Sequence, residues 1–194
     1  MELERTVLIT AKERLLAAAD ELFYAEGVGH VGIDRVVERA GVAKATLYNA
    51  FGSKEALIRA YLQRRQQIRE VRFAKALAPY DSARDRLLAI FDVVGGVFAQ
   101  PGFRGCAFLN VQAQSPLGGT IQEICDEARG WLHALFRDLV MELGVEDPDP
   151  LVHQLVMLYD GATVAATMDR NLEAAGIARE LATLLVDRAT RVAS

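Results

Sequence analysis

Cysteine is scarce in this sequence, which has only Cys106 and Cys125 among its 194 residues. Two cysteines make no disulfide framework, and nothing around them has the spacing of a zinc motif. We therefore expect no metal site, and a reducing cytoplasm is the simplest compartment for the chain.

Long apolar runs and catalytic signatures are also missing. No apolar run approaches the roughly 20 residues that span a bilayer, and the opening Met-Glu-Leu-Glu-Arg lacks the basic-then-apolar order of a secretory signal. The three histidines, His30, His133 and His153, have no i,i+4 ligand spacing. There is no Gly-x-Ser-x-Gly motif, Gly-rich phosphate loop or His-Glu-x-x-His motif. We expect a protein that is not an enzyme, uses no cofactor and has no membrane partner.

Helical periodicity runs through the chain, which is 52% hydrophobic and 25% charged and so typical of a soluble globular protein. Thr10 and Glu13 form a capping box before the first helix. No segment has the alternation of a convincing strand, so the predicted fold class is all-α, with about nine helices. We expect them at about 11–27, 33–40, 44–50, 54–77, 83–100, 106–114, 120–143, from Asp149-Pro150 onward, and 177–192.

Charge is divided unevenly along the chain. The net charge is −4, but residues 1–75 contain 13 Lys and Arg against 10 Asp and Glu. This part has a net charge of +3, and residues 76–194 have −7. A basic N-terminal part on an acidic body favours DNA as a partner.

Residues 32–55 have the pattern of a helix-turn-helix. Ile33, Val36, Val37 and Ala40 recur at i, i+3, i+4 and i+7, as on the inner face of an amphipathic helix. Gly41 follows, at a position where a turn with positive φ favours glycine. A second short helix from about residue 44 to 50 would then leave polar side chains outside, as in a helix that enters the DNA major groove.

The run from Ala40 to Leu57, Ala-Gly-Val-Ala-Lys-Ala-Thr-Leu-Tyr-Asn-Ala-Phe-Gly-Ser-Lys-Glu-Ala-Leu, resembles the TetR (tetracycline-repressor-like) family of bacterial transcriptional regulators. The resemblance is strong over about residues 10–62. It implies an N-terminal three-helix DNA-binding head, residues 1–55, and a C-terminal body for ligand binding and dimerisation, residues 56–194. It also implies a homodimer that binds a pseudo-palindromic double-stranded operator and is released by a small-molecule inducer.

Several residues around the second helix are predicted to contact DNA. In the family the residues that match Thr46, Tyr48 and Lys54 typically contact phosphate. Lys44 has the chemistry to reach guanine and Asn49 to pair with adenine. Arg35 is open to two interpretations, a DNA contact or a surface ion pair with Glu38. The predicted DNA-binding set is Arg35, Ala43, Lys44, Ala45, Thr46, Tyr48, Asn49 and Lys54.

The body is expected to hold a ligand pocket between its fifth and eighth helices, although aromatic residues at helical spacing are also typical of a core. The candidate pocket residues are Phe91, Phe98, Phe103, Cys106, Phe108, Gln112, Trp131, Phe136, Met157, Tyr159 and Asp160. The eighth and ninth helices are predicted to form a four-helix bundle with their symmetry mates. The candidate interface residues are Leu155, Leu158, Ala162, Ala165, Leu181, Leu184 and Leu185.

Two alternatives stay open at this stage. A redox-responsive regulator would switch through Cys106 or Cys125, which requires an exposed thiol of lowered pKa. A helical adaptor that acts only through protein contacts would have no salt-dependent affinity for DNA.

Overall fold

The computed structural model describes residues 10–115 and 118–192, and this part of the chain is wholly helical, with no strand. The predicted all-α class and the number of helices are confirmed. The nine helices are α1 (Ala11–Glu26), α2 (Ile33–Ala40), α3 (Lys44–Phe51), α4 (Lys54–Leu77), α5 (Ala83–Phe98), α6 (Ala107–Gln112), α7 (Gly119–Glu142), α8 (Pro148–Met168) and α9 (Ala174–Val192).

The predicted capping box starts α1. The Glu13 N–H donates to Thr10 Oγ1 at 3.2 Å, and the Thr10 N–H donates to Glu13 Oε2 at 2.7 Å. These two bonds satisfy amide groups that a helix N-terminus leaves without partners. The helix ends at Gly27, whose φ of +88° lies in a region that L side chains rarely adopt.

Two helix starts in the body differ from the prediction. Helix α8 begins at Pro148, not after Asp149, and its N-cap is Asp147, which accepts a hydrogen bond from the Asp149 N–H at 3.4 Å. Proline is tolerated throughout the first turn, where its missing N–H would have had no helical partner, so the earlier cap prevails. Helix α9 begins at Ala174, three residues before Ile177. The buried side chains of Ala174 and Ala175 extend its inner face in the N-terminal direction.

The described residues belong to two compact units. The first comprises Met1–Arg64 and Phe108–Ile124, and the second Arg65–Ala107 and Cys125–Ser194. The first unit therefore includes two segments outside the predicted head, residues 56–64 and 108–124. Its core contains the edge-on pair of Phe23 and Tyr61, with ring centroids 5.7 Å apart. Other fully buried side chains of this core include Leu15, Val31, Val36, Leu47, Leu57 and Leu62.

The second unit is built around α5, α8 and α9, with α9 packed against both other helices. Gly95 lies where α5 approaches α9 closely, because a Cβ at this glycine would be 3.2 Å from the Cβ of Ala175. A larger side chain at position 95 would therefore force α5 and α9 apart. The fully buried side chains of this core include Leu87, Ile90, Phe91, Phe136 and Leu155.

Candidate nucleic-acid interface

The turn between α2 and α3 has the geometry that the sequence predicts. Gly41 adopts a left-handed conformation with φ +63° and ψ +44°, and its N–H donates to the carbonyls of Val37 and Glu38. The Val42 N–H also donates to the Val37 carbonyl, at 3.1 Å. This pairing satisfies the last carbonyls of α2 and fixes the direction in which α3 leaves the turn.

Helix α3 has one buried anchor and a polar outer face. Leu47 is fully buried, whereas Lys44, Ala45, Tyr48 and Asn49 are exposed, and Tyr48 keeps 47% of its surface accessible to solvent. Ala43, the residue before α3, is also exposed, and Thr46 is half-buried. A short helix that is anchored on one side and exposes Lys, Tyr and Asn on the other has the form of a recognition helix.

Lys54 has a structural contact within the same unit. Its ammonium donates to the Val28 carbonyl at 2.7 Å, and the side chain is partly buried. Lys54 therefore ties the start of α4 to the loop that precedes α2. This contact was not predicted, because it joins residues 26 positions apart in the sequence.

Ion pairs fasten α2 to α1. Arg35 makes a two-pronged pair with Glu26, with N–O distances of 2.5 and 2.9 Å, and Arg39 pairs with Glu21 at 2.7 Å. Arg35 thus pairs with Glu26, where one of the two interpretations of the sequence named Glu38. The hydrogen bond from Arg35, opposed by partial desolvation, holds the pKa of Glu26 below its usual range.

A different ion pair joins α2 to α3. The ammonium of Lys44 lies 2.8 Å from the carboxylate of Asp34, and both side chains are exposed. The hydrogen bond to this carboxylate raises the pKa of Lys44. Sequence reasoning did not select Asp34. The signal that points to it is an acidic residue in the first turn of α2, beside a helix that is expected to approach phosphates.

Gln114 braces the loop that leads into α2. Its Oε1 accepts a hydrogen bond from the Gly29 N–H at 3.0 Å, and its Nε2 donates to the Asn110 carbonyl at 3.0 Å. A Cβ at Gly27 would lie 2.7 Å from the same Oε1, so glycine leaves the room that Gln114 occupies. We call these contacts the Gln114 brace. Sequence reasoning missed it, since the bond to Gly29 spans 85 positions.

A second polar contact supports the start of α4 in the same unit. Thr120 Oγ1 donates to Glu55 Oε1 at 2.7 Å. A cleft of about 400 Å³ lies beside both contacts and is lined by Val28, Gly29, Lys54, Glu55, Ile58, Gln114, Ser115, Gly118 and Ile121. The residues before α2 and at the start of α4 are therefore held by Gln114, which follows α6, and by Thr120 in the first turn of α7.

The aromatic residues that were predicted for a ligand pocket are largely packed against one another in the second unit. Phe91 lies 6.3 Å from Phe136 and Phe136 6.2 Å from Tyr159, between ring centroids, while Phe98 lies 5.0 Å from Phe103. Phe91, Phe98 and Phe136 are buried. Cys106, Trp131 and Tyr159 are half-buried. The sequence thus brings these side chains together, as a packed core with polar groups among them.

Four of the predicted pocket residues lie elsewhere or are engaged otherwise. Phe108 and Gln112 belong to the first unit, and Gln112 donates to Gln122 at 3.1 Å. Asp160 forms a two-pronged ion pair with Arg129, at 2.7 and 2.8 Å. Met157 is 73% exposed, so it lines the surface and not an interior pocket.

Arg69 introduces a positive charge into this aromatic region. Its guanidinium carbon lies 4.9 Å from the Trp131 ring centroid, within range of a cation–π contact, and its Nη2 donates to the Ala128 carbonyl at 2.6 Å. Burial lowers the pKa of Arg69 and raises that of Tyr159 to about 12. Sequence reasoning did not select Arg69, because one arginine among several on a long helix has no distinguishing pattern.

Both cysteines are free thiols. Cys125 is buried, and desolvation, with smaller contributions from Cys106 and Asp126, raises its pKa to about 11. A sensor thiol requires the opposite shift, toward the thiolate. Cys125 therefore does not have the environment of a redox switch.

The predicted dimer residues fall into two groups. Leu155 and Ala162 are buried in the core of their own chain, so they are not available to a partner, which corrects their assignment to the interface. Leu181 and Leu184 are exposed. The remaining residues of the prediction, Leu158, Ala165 and Leu185, are half-buried.

The exposed apolar residues form stripes on α8 and α9. On α8 they recur at i, i+7 and i+11, and on α9 at i, i+4 and i+7, so each set lies on one face of its helix. Since α8 packs on α9, we treat the two sets together as the α8–α9 stripe. Its members are Met157, Val164, Met168, Ile177, Leu181 and Leu184.

Within the described ranges, no group of three or more His, Cys, Asp or Glu side chains has a metal-binding arrangement. No helix among the described residues is long and apolar enough to cross a membrane.

A glycine turn joins α2 to a short helix whose polar side chains face outward, and the described part of the chain around this element contains helices and no strand. These features define a helix-turn-helix DNA-binding regulator.

Comparison with known proteins gives the family. Residues 15–61 match the family described as "Bacterial regulatory proteins, tetR family". A TetR-family transcriptional regulator from Streptomyces coelicolor has 33% identity and a TM-score of 0.81, over 95% of this chain and 96% of that one. A regulator described as a putative TetR-type protein from Streptomyces avermitilis has 34% identity and a TM-score of 0.81, over 93% and 98% of the two chains. The chain belongs to the TetR family of transcriptional regulators.

The relatives also include a protein named as a repressor. The HTH-type transcriptional repressor NemR of Escherichia coli is 29% identical over 174 residues, which are 84% of this chain and 86% of that protein.

Proposed function

We propose that this protein is a homodimeric transcriptional repressor that binds a pseudo-palindromic operator and is released from it by a small-molecule inducer. The observation that carries the proposal is the exposed face of α3, where Lys44, Ala45, Tyr48 and Asn49 stand clear of the core. The repressor name of the relative NemR supports the direction of control. We propose the cytoplasm as its location and no catalytic activity.

The proposed contacts divide into two kinds. Thr46, Tyr48 and Lys54 have the hydroxyl and ammonium groups that bind phosphate and fix the register on the duplex. Ala43, Lys44, Ala45 and Asn49 would lie along base edges. Arg35 is bound to Glu26, so it would contact DNA only if it exchanged this partner.

The α8–α9 stripe is the surface that we propose for dimerisation. A two-fold axis through it would pair two helices of each protomer, and the exposed Gly161 on α8 would allow close approach. Two heads would then bind half-sites separated by about 34–36 Å, one turn of the double helix, or a multiple of it.

Control by an inducer follows from linkage. A ligand that binds better to a shape in which the heads are wrongly spaced lowers operator affinity by the ratio of its affinities for the two shapes. We propose residues 1–55 as the DNA-binding head and 56–194 as the body for ligand binding and dimerisation. Helix α4 connects them, and the aromatic cluster of the second unit is the proposed ligand region.

The test is selection of DNA fragments by the purified dimer, with gel shifts of the selected fragments at several salt concentrations. We expect inverted half-sites, affinity on the order of 10⁻⁸ to 10⁻¹¹ M at physiological salt, and a linear fall of log affinity with log salt. Addition of candidate small molecules should then release the fragment. A chain without salt-dependent DNA affinity would instead favour the helical adaptor.

A further inference from the structure

The ion pair between Asp34 and Lys44 differs in position from the other pairs of the helix-turn-helix. The pairs made by Arg35 and Arg39 reach back to α1 and hold α2 in place. The Asp34–Lys44 pair joins the first turn of α2 to the first residue of α3. Its two side chains are 79% and 52% exposed, with an N–O distance of 2.8 Å.

Small residues lie on both sides of Lys44 at the start of α3. Ala43 and Ala45 flank Lys44, and both are exposed. A methyl group does not hold the helix away from base edges as a long side chain would. In the free chain the Lys44 ammonium and the Asp34 carboxylate are one hydrogen-bond length apart, so both would lie near the same base edge if Lys44 kept this position on DNA.

Folding stability does not account for the pair. Ion pairs between exposed side chains contribute little, since solvent screens them and two side chains lose freedom. Asp34 also stabilises the N-terminus of α2 through the helix dipole. That contribution needs no Lys44 and has no effect on base preference, so it can be separated by experiment.

Phosphate repels a carboxylate close to DNA, and a hydrogen bond from a donor on a base is needed to offset this repulsion. In the major groove the donors are the N4 amino group of cytosine and the N6 amino group of adenine. A G·C pair presents the guanine acceptors O6 and N7 side by side, with the cytosine N4 donor next to them. In an A·T pair the adenine N6 donor lies between two single acceptors, adenine N7 and thymine O4. The thymine methyl group occupies the groove on the thymine side.

We propose that Asp34 and Lys44 together read one G·C base pair in the operator, with Lys44 donating to guanine O6 and N7 and Asp34 accepting from cytosine N4. This assignment rests on the proposed binding of operator DNA. It makes Asp34 a specificity-determining residue that rejects base pairs with an acceptor at the carboxylate. Asp34 increases selectivity for this base pair and lowers the affinity for DNA of any sequence, because its negative charge is repelled by phosphate.

The experiment is DNA selection and sequencing with the full-length wild-type chain, Asp34→Asn and Lys44→Met. Glu38→Gln is the matched control, because it removes one negative charge from the same helix at an exposed position. We expect the wild type to require G·C at one position of each half-site. Asp34→Asn should relax that position about tenfold or more, because an amide can donate to a base acceptor as well as accept from cytosine N4, whereas a carboxylate only accepts. The variant should also bind random DNA more tightly, since a negative charge is lost.

The control and the second variant decide among the outcomes. Lys44→Met should relax the same position as Asp34→Asn, and Glu38→Gln should strengthen random binding without relaxing any position. The proposal is overturned if Asp34→Asn keeps every base preference of the wild type while both bind DNA, or if the relaxed position is an A·T pair. Absence of salt-dependent binding in the wild type would instead refute the proposed function itself.

Discussion

At the residue scale, Tyr48 is the most direct probe of DNA contact, because its ring is exposed on α3 and its hydroxyl is proposed to bind phosphate. Tyr48→Phe should weaken binding to every DNA sequence by roughly tenfold or more, since a hydrogen bond to a charged group contributes about 1.5–3 kcal/mol. The salt dependence should stay unchanged, because no charge is lost. Fluorescence anisotropy with operator and random duplexes measures both quantities.

The matched control for this prediction is Tyr80→Phe, which removes a hydroxyl from another exposed tyrosine outside the helix-turn-helix. Equal losses in the two variants would contradict a specific role for Tyr48.

Cys125 provides a second prediction at this scale, through its chemical reactivity. With a pKa of about 11, only about one thiol in a thousand is ionised at pH 8, so alkylation should be roughly a hundredfold or more slower than for an unperturbed thiol. The sign follows from the raised pKa, and the rate should increase as the pH rises toward 11. Mass spectrometry of the iodoacetamide reaction in a Cys106→Ser chain isolates Cys125.

The same variant tests the redox alternative. If peroxide reduced the operator affinity of the Cys106→Ser chain, Cys125 would be a sensor after all, against the direction of its pKa.

The sequence predicted the exposed residues of α3 well, because the spacing of apolar and polar residues within one helix indicates which face is buried and which is exposed. Leu47 faces inward, and Lys44, Tyr48 and Asn49 face outward as expected. Hydrogen bonds and ion pairs between residues far apart in the chain produce no such pattern in the sequence. The bonds of Arg35 with Glu26 and of Lys54 with the Val28 carbonyl depend on how whole helices dock.

At the scale of elements, the Gln114 brace predicts that Gly27 and Gln114 act together. Gly27→Ala should cost about 1–3 kcal/mol of backbone strain at its positive φ. The added methyl should also displace Gln114, whose bond to the Gly29 N–H contributes about 1 kcal/mol. Gln114→Ala loses that bond alone, so the double variant should be less destabilised than the sum of the two single ones, by about 1 kcal/mol.

Denaturant unfolding of the four chains gives this coupling free energy. Gly41→Ala with Gln114→Ala is the control cycle, because Gly41 also has positive φ but has no atom within 4 Å of its Cβ position. Additive effects in the Gly27 cycle would show that the brace does not contribute to stability.

Element boundaries were predicted at α1, where a capping box marks the start, and were missed at α8, where two capping signals compete, and at α9, whose first buried residues are alanines. Thr10 and Glu13 form a capping box at α1, and α1 starts as expected. The segment before α8 has two Asp-Pro pairs in succession, 147–148 and 149–150, either of which suits a helix start. Because proline is tolerated throughout the first turn, the earlier pair caps the helix and the later pair lies inside it.

At the scale of the whole molecule, the α8–α9 stripe predicts the assembly. Leu184→Glu places a charge in the proposed interface, where no partner would compensate for its desolvation, so the dimer should dissociate at micromolar concentration. Affinity for the full operator should fall with it, while affinity for a single half-site should change little. Analytical ultracentrifugation and anisotropy measure the two effects.

Met141→Glu is the matched control, since Met141 is also exposed and apolar but lies on α7, outside the stripe. A Leu184→Glu chain that remained dimeric would place the interface elsewhere.

The predicted interface helices came from sequence periodicity, but periodicity alone did not distinguish Leu155, which is buried in the core of its own chain, from a surface residue. A helix that is apolar on two sides needs a packing partner on each. Only the folded structure shows which of the two sides packs against another helix of the same chain.

The Gln114 brace also has a consequence for protein engineering. In a chimaera that transplanted residues 1–55 onto the body of a relative, the Gly29 N–H would lose its glutamine acceptor, and Glu55 would lose the hydroxyl of Thr120. A working transplant would therefore have to carry residues 108–124 along with the head, so that the donor protein contributes two separate stretches of its gene.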